Sequence, residues 1–287
     1  LAGCALLIFA VSNLVSHRLE RHRRKLLLLG GMLVTLILLP LPEDTVTYTQ
    51  FSVANADGAV LQDRDMTVVI DTGEDGQAIA DYLHQKRQRV EMLIITHLHI
   101  DHGGGIRALI DEGIPVEVCY LPWDADVPII DEEMRPLIEE LAATGTEFRC
   151  LHRGDAIDLP SGQLTVLWPE KGRVNALHDA NDVNLVLHAD IAGVTMLLTG
   201  DLPGEYERYV AMPADILKVA HHGSRDSTTA DFLTAVAPQV MLQSNRLESR
   251  EIHMAEVAGA IPLYATEKHG GIIIRFLGDG EFMVNKY

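Results

Sequence analysis

The 287 residues carry 23 Lys and Arg against 41 Asp and Glu, a formal net charge of −18 at pH 7. That acidity excludes a protein that grips nucleic acid through a broad basic surface, but not one whose phosphate contacts are supplied locally by bound cations. The length allows one large domain or two small ones, and the three cysteines have no close spacing that would read as a metal site.

The first forty-odd residues differ from the rest. Two apolar runs, Leu1 to Val15 and Leu26 to Leu41, flank a stretch, Ser16 to Lys25, that holds Arg18, Arg21, Arg23, Arg24 and Lys25. Each run is slightly short of the roughly 20 apolar residues of a membrane-crossing helix. Basic residues resist translocation. Residues 1–42 therefore read as a transmembrane hairpin with a cytoplasmic loop, and residues 43–287 as a domain on the outer face of the cell membrane. A secretory signal competes, with Ala54-Asn55-Ala56 as its small-x-small site, but that tripeptide lies beyond a segment already patterned as a strand. A buried helical hairpin also competes; the basic loop between two uniformly apolar runs suits a bilayer better.

From Thr45 onward, short Val-, Ile- and Leu-rich runs alternate with helix-like stretches. Thr45 to Val53 alternates like a strand, and Met66 to Ile70 is a second, ending in Asp71-Thr72-Gly73. A helix is predicted over Gly76 to Gln88 with Ile79 and Leu83 inward, then a strand over Met92 to Ile95, a polar loop, and a helix beginning near Gly104. Val116 to Leu121 reads as a strand and Ile130 to Ala143 as an amphipathic helix with an acidic wet face. In the second half, strands are predicted at Thr165 to Leu167, Asn184 to His188, Val194 to Leu198, Ile216 to Val219 and Val240 to Gln243. Helices follow near Gly204 to Val210 and Thr228 to Ala237, and Ile272 to Phe276 with Phe282 to Val284 forms a closing hairpin. Cys119 and Cys150, in or beside apolar strands, read as buried thiols. Two β-rich halves with outer helices predict an α/β fold layered as a four-layer αββα sandwich; pattern alone permits a doubly wound sheet nearly as well.

The loop after Met92-Leu93-Ile94-Ile95 carries the chemistry. His97, His99, Asp101 and His102 pack three imidazoles and a carboxylate into six positions at the carboxyl end of a buried strand, where open α/β sheets place their sites. One ion cannot easily use all four groups at this spacing, whereas two close ions can share them. A polar loop with incidental histidines is the bland alternative, and four potential ligands in six positions make it a small minority.

His-x-His-x-Asp-His after a hydrophobic strand resembles the signature of the metallo-β-lactamase superfamily. The resemblance implies that His97 and His99 hold one metal, and Asp101 and His102 the other. Leu197-Leu198-Thr199-Gly200-Asp201 matches the place of the metal-bridging carboxylate, which gives that role to Asp201. Ile216 to Ser224 ends in His221-His222-Gly223-Ser224 and is similar to the His-His-Gly-Ser element of the ComEC branch, the extracytoplasmic domain of the DNA-uptake channel protein. It implies His221 as the last metal ligand, with His222 or Ser224 contacting substrate. The resemblance runs from about Thr45 to Tyr287 and includes Asp71-Thr72-Gly73 and Asn181-Asp182-Val183-Asn184.

There are departures. Val53-Ala54-Asn55-Ala56-Asp57-Gly58-Ala59 stands where relatives often have Gly-Gln-Gly-Asp-Ala, and His99 stands where ComEC relatives frequently have Asp. The many-helix channel region of ComEC has no counterpart in these residues, so DNA import does not carry over. A third imidazole for metal one has three candidates, His152, His178 and His188. His178, in a polar loop, ranks first, and a site that uses none of them stays open. His253 and His269 read as solvated loop residues.

The implied cofactors are two divalent ions, zinc favoured and manganese open for a phosphodiesterase. They would activate water without a serine or cysteine nucleophile, and the chain has no Gly-x-Ser-x-Gly elbow. Asp101 and His222 are the residues expected to act in catalysis. The leading expectation is hydrolysis of a phosphodiester, with nucleic acid at the metal cleft flanked by Lys218, Arg225 and Arg246. The alternatives are hydrolysis of a carboxylic ester, lactone or thioester, and a non-catalytic membrane-tethered binding module that would need the ligands to be missing.

Overall fold

The computed structural model describes residues 46–53, 56–122, 132–172, 179–244 and 248–286. The chain divides into two compact units, Leu1–Glu43 and Asp44–Tyr287. The expected membrane hairpin falls in the first unit and lies outside the described residues. Among the described residues no helix is long and apolar enough to cross a membrane.

The second unit is built on two sheets. Strands β1 (Val46–Gln50), β2 (Gly58–Asp63), β3 (Met66–Thr72), β4 (Val90–Ile94), β5 (Val116–Leu121), β6 (Glu147–Cys150), β14 (Ile272–Gly278) and β15 (Glu281–Lys286) form an eight-stranded sheet in the order β15-β14-β1-β2-β3-β4-β5-β6. Strands β7 (Ala156–Leu159), β8 (Gly162–Trp168), β9 (Val186–Ile191), β10 (Val194–Leu198), β11 (Ile216–Lys218), β12 (Val240–Gln243) and β13 (Leu263–Ala265) form a seven-stranded sheet in the order β13-β12-β11-β10-β9-β8-β7. Strands β3 to β6 run parallel, as do β10 to β13. Parallel neighbours need crossovers. Helices α1 (Gln77–Lys86), α2 (Ile100–Gly103), α3 (Ile106–Asp111) and α4 (Met134–Ala143) supply them in the first sheet, and α5 (Ala230–Val236) and α6 (Glu248–Ala258) in the second; α7 (Thr266–His269) leads into β14.

Side-chain alternation decides between the layered and doubly wound readings. Val68 and Ile70 share an apolar cluster with Leu187, Met196 and Ile216 of the other sheet, so these faces look at each other. Val69 and Leu93 point the other way and join Ile79 and Leu83 of α1 and Leu109 of α3; Leu197 and Leu217 join Phe232 and Leu233 of α5. Helices thus cover the outer faces while the sheets cover each other. The antiparallel strands β1, β2, β8 and β9 bring no crossover helix among the described residues, and their inner faces are buried against the opposite sheet.

Four strands escape the sequence pattern. Every residue of β2 is buried, which erases the alternation that marks a strand. β6 and β7 are four-residue strands with charged residues among the apolar ones, and β13 has three residues. The segment Gly204–Tyr209, expected as a helix, is a 3-10 turn. The helix expected from Ile130 is described from Met134. Cys119 is buried, Cys150 is half-buried, and neither forms a disulfide. Burial pushes the Cys119 thiol up, so it is held as the neutral, unreactive form.

Candidate metal centre

The carboxyl ends of β3, β4, β10 and β11 meet at one edge of the two sheets, and each delivers a polar side chain there. The penultimate residue of β3 is Asp71, whose backbone sits in the left-handed region at φ 55°. Its carboxylate accepts from the Thr96 amide at 2.7 Å and the Thr96 hydroxyl at 2.7 Å, and lies 2.8 Å from His102 Nδ1. This network places a proton of His102 on Nδ1 and turns Nε2 toward Asp201, 3.3 Å from Oδ1. The single turn α2 carries Asp101 and His102 together, capped at its start by His99. His97 is fully buried, its Nε2 3.1 Å from His99 Nδ1 and its ring centroid 4.0 Å from that of His102.

Asp201 is positioned by Asn184. The Asn184 Nδ2 donates to the Thr199 carbonyl at 2.7 Å, and its Oδ1 accepts from the Asp201 amide at 2.9 Å. Gly200 between them has φ 48°, and a Cβ there would stand 2.0 Å from Asn184 Oδ1. Only glycine lets the clamp close on this turn.

β11 ends in an unusual turn: His221 (φ 49°, ψ 46°) and His222 (φ 53°, ψ 24°) are consecutive left-handed residues. Each such residue costs about 1–2 kcal/mol. The turn is held by bonds from the His221 amide to the Gly200 carbonyl at 2.9 Å, from the Ser224 amide to the His221 carbonyl at 2.9 Å and from Gln243 Nε2 to the His222 carbonyl at 3.1 Å. Strain of this kind persists where the surroundings over-determine it, commonly at functional sites. Its result is that His222 is turned inward and 1% exposed, with Nδ1 donating to the Ser244 carbonyl at 3.0 Å. His222 Nε2 lies 3.4 Å from Asp201 Oδ2 and 3.6 Å from Asp101 Oδ2. His221 stands at the rim, 32% of its side chain exposed, with Nε2 3.7 Å from Asp201 Oδ2. The resemblance gives the ligand's place to His221 and the substrate's to His222; the left-handed turn puts the second imidazole, not the first, into the buried cluster.

Electrostatics mark the centre as one built for cations. Ligand atoms of Asp57, His102, Asp201 and His222 all lie within 4.8 Å of one another. Asp57 Oδ1, His102 Nε2, Asp201 Oδ1 and His222 Nε2 are buried and make no hydrogen bond among the described residues. Leaving such a group unsatisfied costs about 1–3 kcal/mol, more when it is charged. Imidazole nitrogens and carboxylate oxygens converging without mutual bonds suit borderline divalent metals, so the residues present fit such ions. Burial, reinforced by the neighbouring His102, pushes His97 well below the usual imidazole range and keeps it neutral, as a ligand must be. Burial alone would lower His222 too, but the Asp201 and Asp57 carboxylates outweigh it and hold its pKa at about 9. His102 is held well above its ordinary value in the same way, by Asp201 and Asp71 against burial.

Of the other expected residues, His178 and Arg246 lie outside the described residues. His152 belongs to a turn in which its amide donates to Asp155 at 2.8 Å, and His188 sits mid-strand in β9, opposite Leu197 and Thr165. His269 bonds the Ala265 backbone and packs on Tyr264, and His253 is half-buried on α6. Arg225 is exposed, but Lys218, expected as a phosphate contact, is 3% exposed with its ammonium on the Asp57 carboxylate. Sequence reasoning missed the roles of Asp57, Asp71, Asn184 and Ser244. Asp71 and Asn184 stand inside segments noted as landmarks, and their position at strand ends next to the motifs was the available signal.

The superfamily profile of the metallo-beta-lactamases matches residues 57–243, well over half of the chain. ComE operon protein 3 of Bacillus subtilis (strain 168) is 30% identical over 177 residues, covering 58% of this chain and 21% of that protein. A hydroxyacylglutathione hydrolase of Idiomarina loihiensis is 33% identical over 105 residues, covering 37% of this chain and 34% of that enzyme. The chain therefore spans about a fifth to a third of the length of these relatives. Among solved structures, the metallo-beta-lactamase fold protein YhfI from Bacillus subtilis superposes with a TM-score of 0.58 at 13% identity, over 81% of this chain and 100% of that one, a likeness of fold. Profile, fold and the converging histidines and aspartates agree: the chain belongs to the metallo-beta-lactamase superfamily and resembles its ComEC-like branch, as a metal-dependent hydrolase with a candidate metal centre at its strand ends.

Proposed function

We propose that the chain hydrolyses phosphodiesters at a pair of divalent ions, zinc favoured and manganese the alternative. The similarity to ComE operon protein 3, together with His221-His222-Gly223-Ser224, carries the substrate class. His97 and His99 would hold one ion, with His178 as the candidate that completes its set, and Asp101, His102 and His222 the other, with Asp201 shared. Bound there, the ions supply Lewis-acid polarisation and an activated water.

The chain's own groups do the rest. Asp71 and the Ser244 carbonyl fix the tautomers of His102 and His222, so that both present Nε2 inward. His221, partly exposed beside Asp201, is the imidazole that faces substrate and donates to a phosphoryl oxygen. Arg250, whose Nη1 donates to the His221 carbonyl at 3.3 Å, adds positive charge beside that position. With Lys218 buried and the net charge at −18, phosphate recognition is concentrated at the ions.

The purified chain should cleave short or single-stranded phosphodiesters at least as well as long duplex, with rates that depend on added Zn or Mn. Salt dependence should be weak, because few phosphates are neutralised beyond the cleft. A panel of phosphodiesters, esters, lactones and thioesters, each assayed with and without metal, checks this. The match to a hydroxyacylglutathione hydrolase favours thioester hydrolysis as the second reading. Turnover of thioesters or lactones with every phosphodiester left intact selects it.

We also propose that residues 1–42 anchor the hydrolase unit on the outer face of the cell membrane, on the strength of the five basic residues between the two apolar runs. Protease added to intact cells should digest the unit. Digestion only after lysis reverses the topology.

A further inference from the structure

Lys218 on β11 and Asp57, just before β2, lie 161 positions apart in sequence and form an ion pair between the two sheets. Both are buried, Lys218 at 3% and Asp57 at 4% exposure, so neither touches a substrate. Taking two charges out of water costs several kcal/mol each before their attraction is counted, and hydrolysis as described above makes no use of the pair.

The pair sits directly against the back of His222. Asp57 Oδ1 is 3.8 Å from His222 Nδ1, on the opposite side of the ring from the Nε2 that faces Asp101 and Asp201. The Asp57 amide also donates to the Asp101 carbonyl at 3.2 Å, so one residue steadies two members of the centre. His102 offers an internal comparison. Its outer nitrogen faces Asp71, and the Asp71 carboxylate is held in turn by two donors from Thr96. At His222 the outer nitrogen donates to the Ser244 carbonyl at 3.0 Å, and the carboxylate behind it, at 3.8 Å, is Asp57, held by a full positive charge. A cavity of about 20 Å³, room for one water, is lined by both carboxylates and by Lys218, Tyr48, Gln50 and Thr96.

Asp57 therefore has two courses open to its carboxylate. It is near enough to the ligand atoms to join them, yet one oxygen is occupied by the lysine. We propose that Asp57 and Lys218 are a positioning pair for the metal position served by His222: the ammonium keeps the Asp57 carboxylate behind the imidazole, where its negative charge backs the ring that the Ser244 carbonyl orients, and out of the ligand set. Groups that orient a metal-binding histidine commonly change metal affinity 10–100-fold when removed. This rests on the metal-centre reading above.

The test uses the full 287-residue chain in detergent, stripped and titrated with Zn²⁺ or Co²⁺ against a competing chelator. The double variant Asp57→Asn with Lys218→Met keeps the volumes and removes both charges, a change that buried pairs often tolerate. It should fold with an unchanged far-ultraviolet spectrum and bind one equivalent like the parent. The other equivalent should bind about 10–100-fold more weakly, with altered Co²⁺ absorption bands. If the double variant does not fold, Asp57→Asn alone should show the same loss. Two equivalents bound within twofold of the parent, with the parent's Co²⁺ spectrum, in whichever variant folds, would reduce the pair to a tie between sheets and overturn the inference. A parent chain that takes up no metal overturns the underlying reading and this inference together.

Discussion

Replacing Asp201 by Asn should abolish hydrolysis, with turnover down at least about 10³-fold, equivalent to about 4 kcal/mol of barrier, and metal content reduced. Asp201 is 2% exposed and sends one oxygen toward His102 Nε2 at 3.3 Å and the other toward His222 Nε2 at 3.4 Å and His221 Nε2 at 3.7 Å. No other described carboxylate lies this close to three imidazoles, so none can take its place. Asn keeps the shape and the backbone amide that Asn184 grips, so the turn should survive and the loss should be one of charge and ligation. Burial opposes ionisation of Asp201, but His222 and His102 outweigh it and hold its carboxyl well below the usual carboxylate range, ionised as a ligand must be. The check is turnover and elemental analysis on the same folded preparation. An Asp201→Asn variant that keeps a tenth of parental turnover would remove Asp201 from the centre.

The second large effect separates the two adjacent histidines. His222→Asn should cost roughly 10³-fold in turnover and lose one metal equivalent. His221→Asn should keep both equivalents and lose about 10²-fold, the usual cost of removing one donor to the reacting group. Asn is the right replacement at both positions, because it tolerates the left-handed backbone that Ala would strain. The expected difference follows from burial: His222 points into the cluster with 1% exposed, and His221 stands beside Asp201 at the opening. Metal loss in the His221 variant with full loading in the His222 variant would return the ligand's role to His221.

Much of this protein is legible in its sequence, for local reasons. His97, His99, Asp101 and His102 fall within a span of six positions just after one buried strand, a density that needs no tertiary information to mark candidate metal ligands. Val116–Leu121, Val194–Leu198 and Val240–Gln243 are read at their observed limits because each is a short apolar run bounded by polar or turn residues. β2 hides because all of its residues are buried, and β6 and β7 because they are short and carry charged residues.

What composition and spacing determine by themselves is thus the acidic character, the existence of a candidate metal-binding loop, the strand ends that carry it, and a second pair of histidines after a strand. Which of that pair turns inward is decided by two positive φ angles that only the assembled turn imposes, through bonds to Gly200, Ser224 and Gln243. The pairing of Asp71 with His102 joins neighbouring strand ends, and that of Asp57 with Lys218 joins the two sheets. Lys218 looks from sequence like a cation offered to substrate, because a lysine near a motif carries no local sign of its partner. Ion pairs and imidazole tautomers are set by what lies across the fold, and a partner 161 positions away is fixed only when two sheets close on each other and leave a buried charge no alternative.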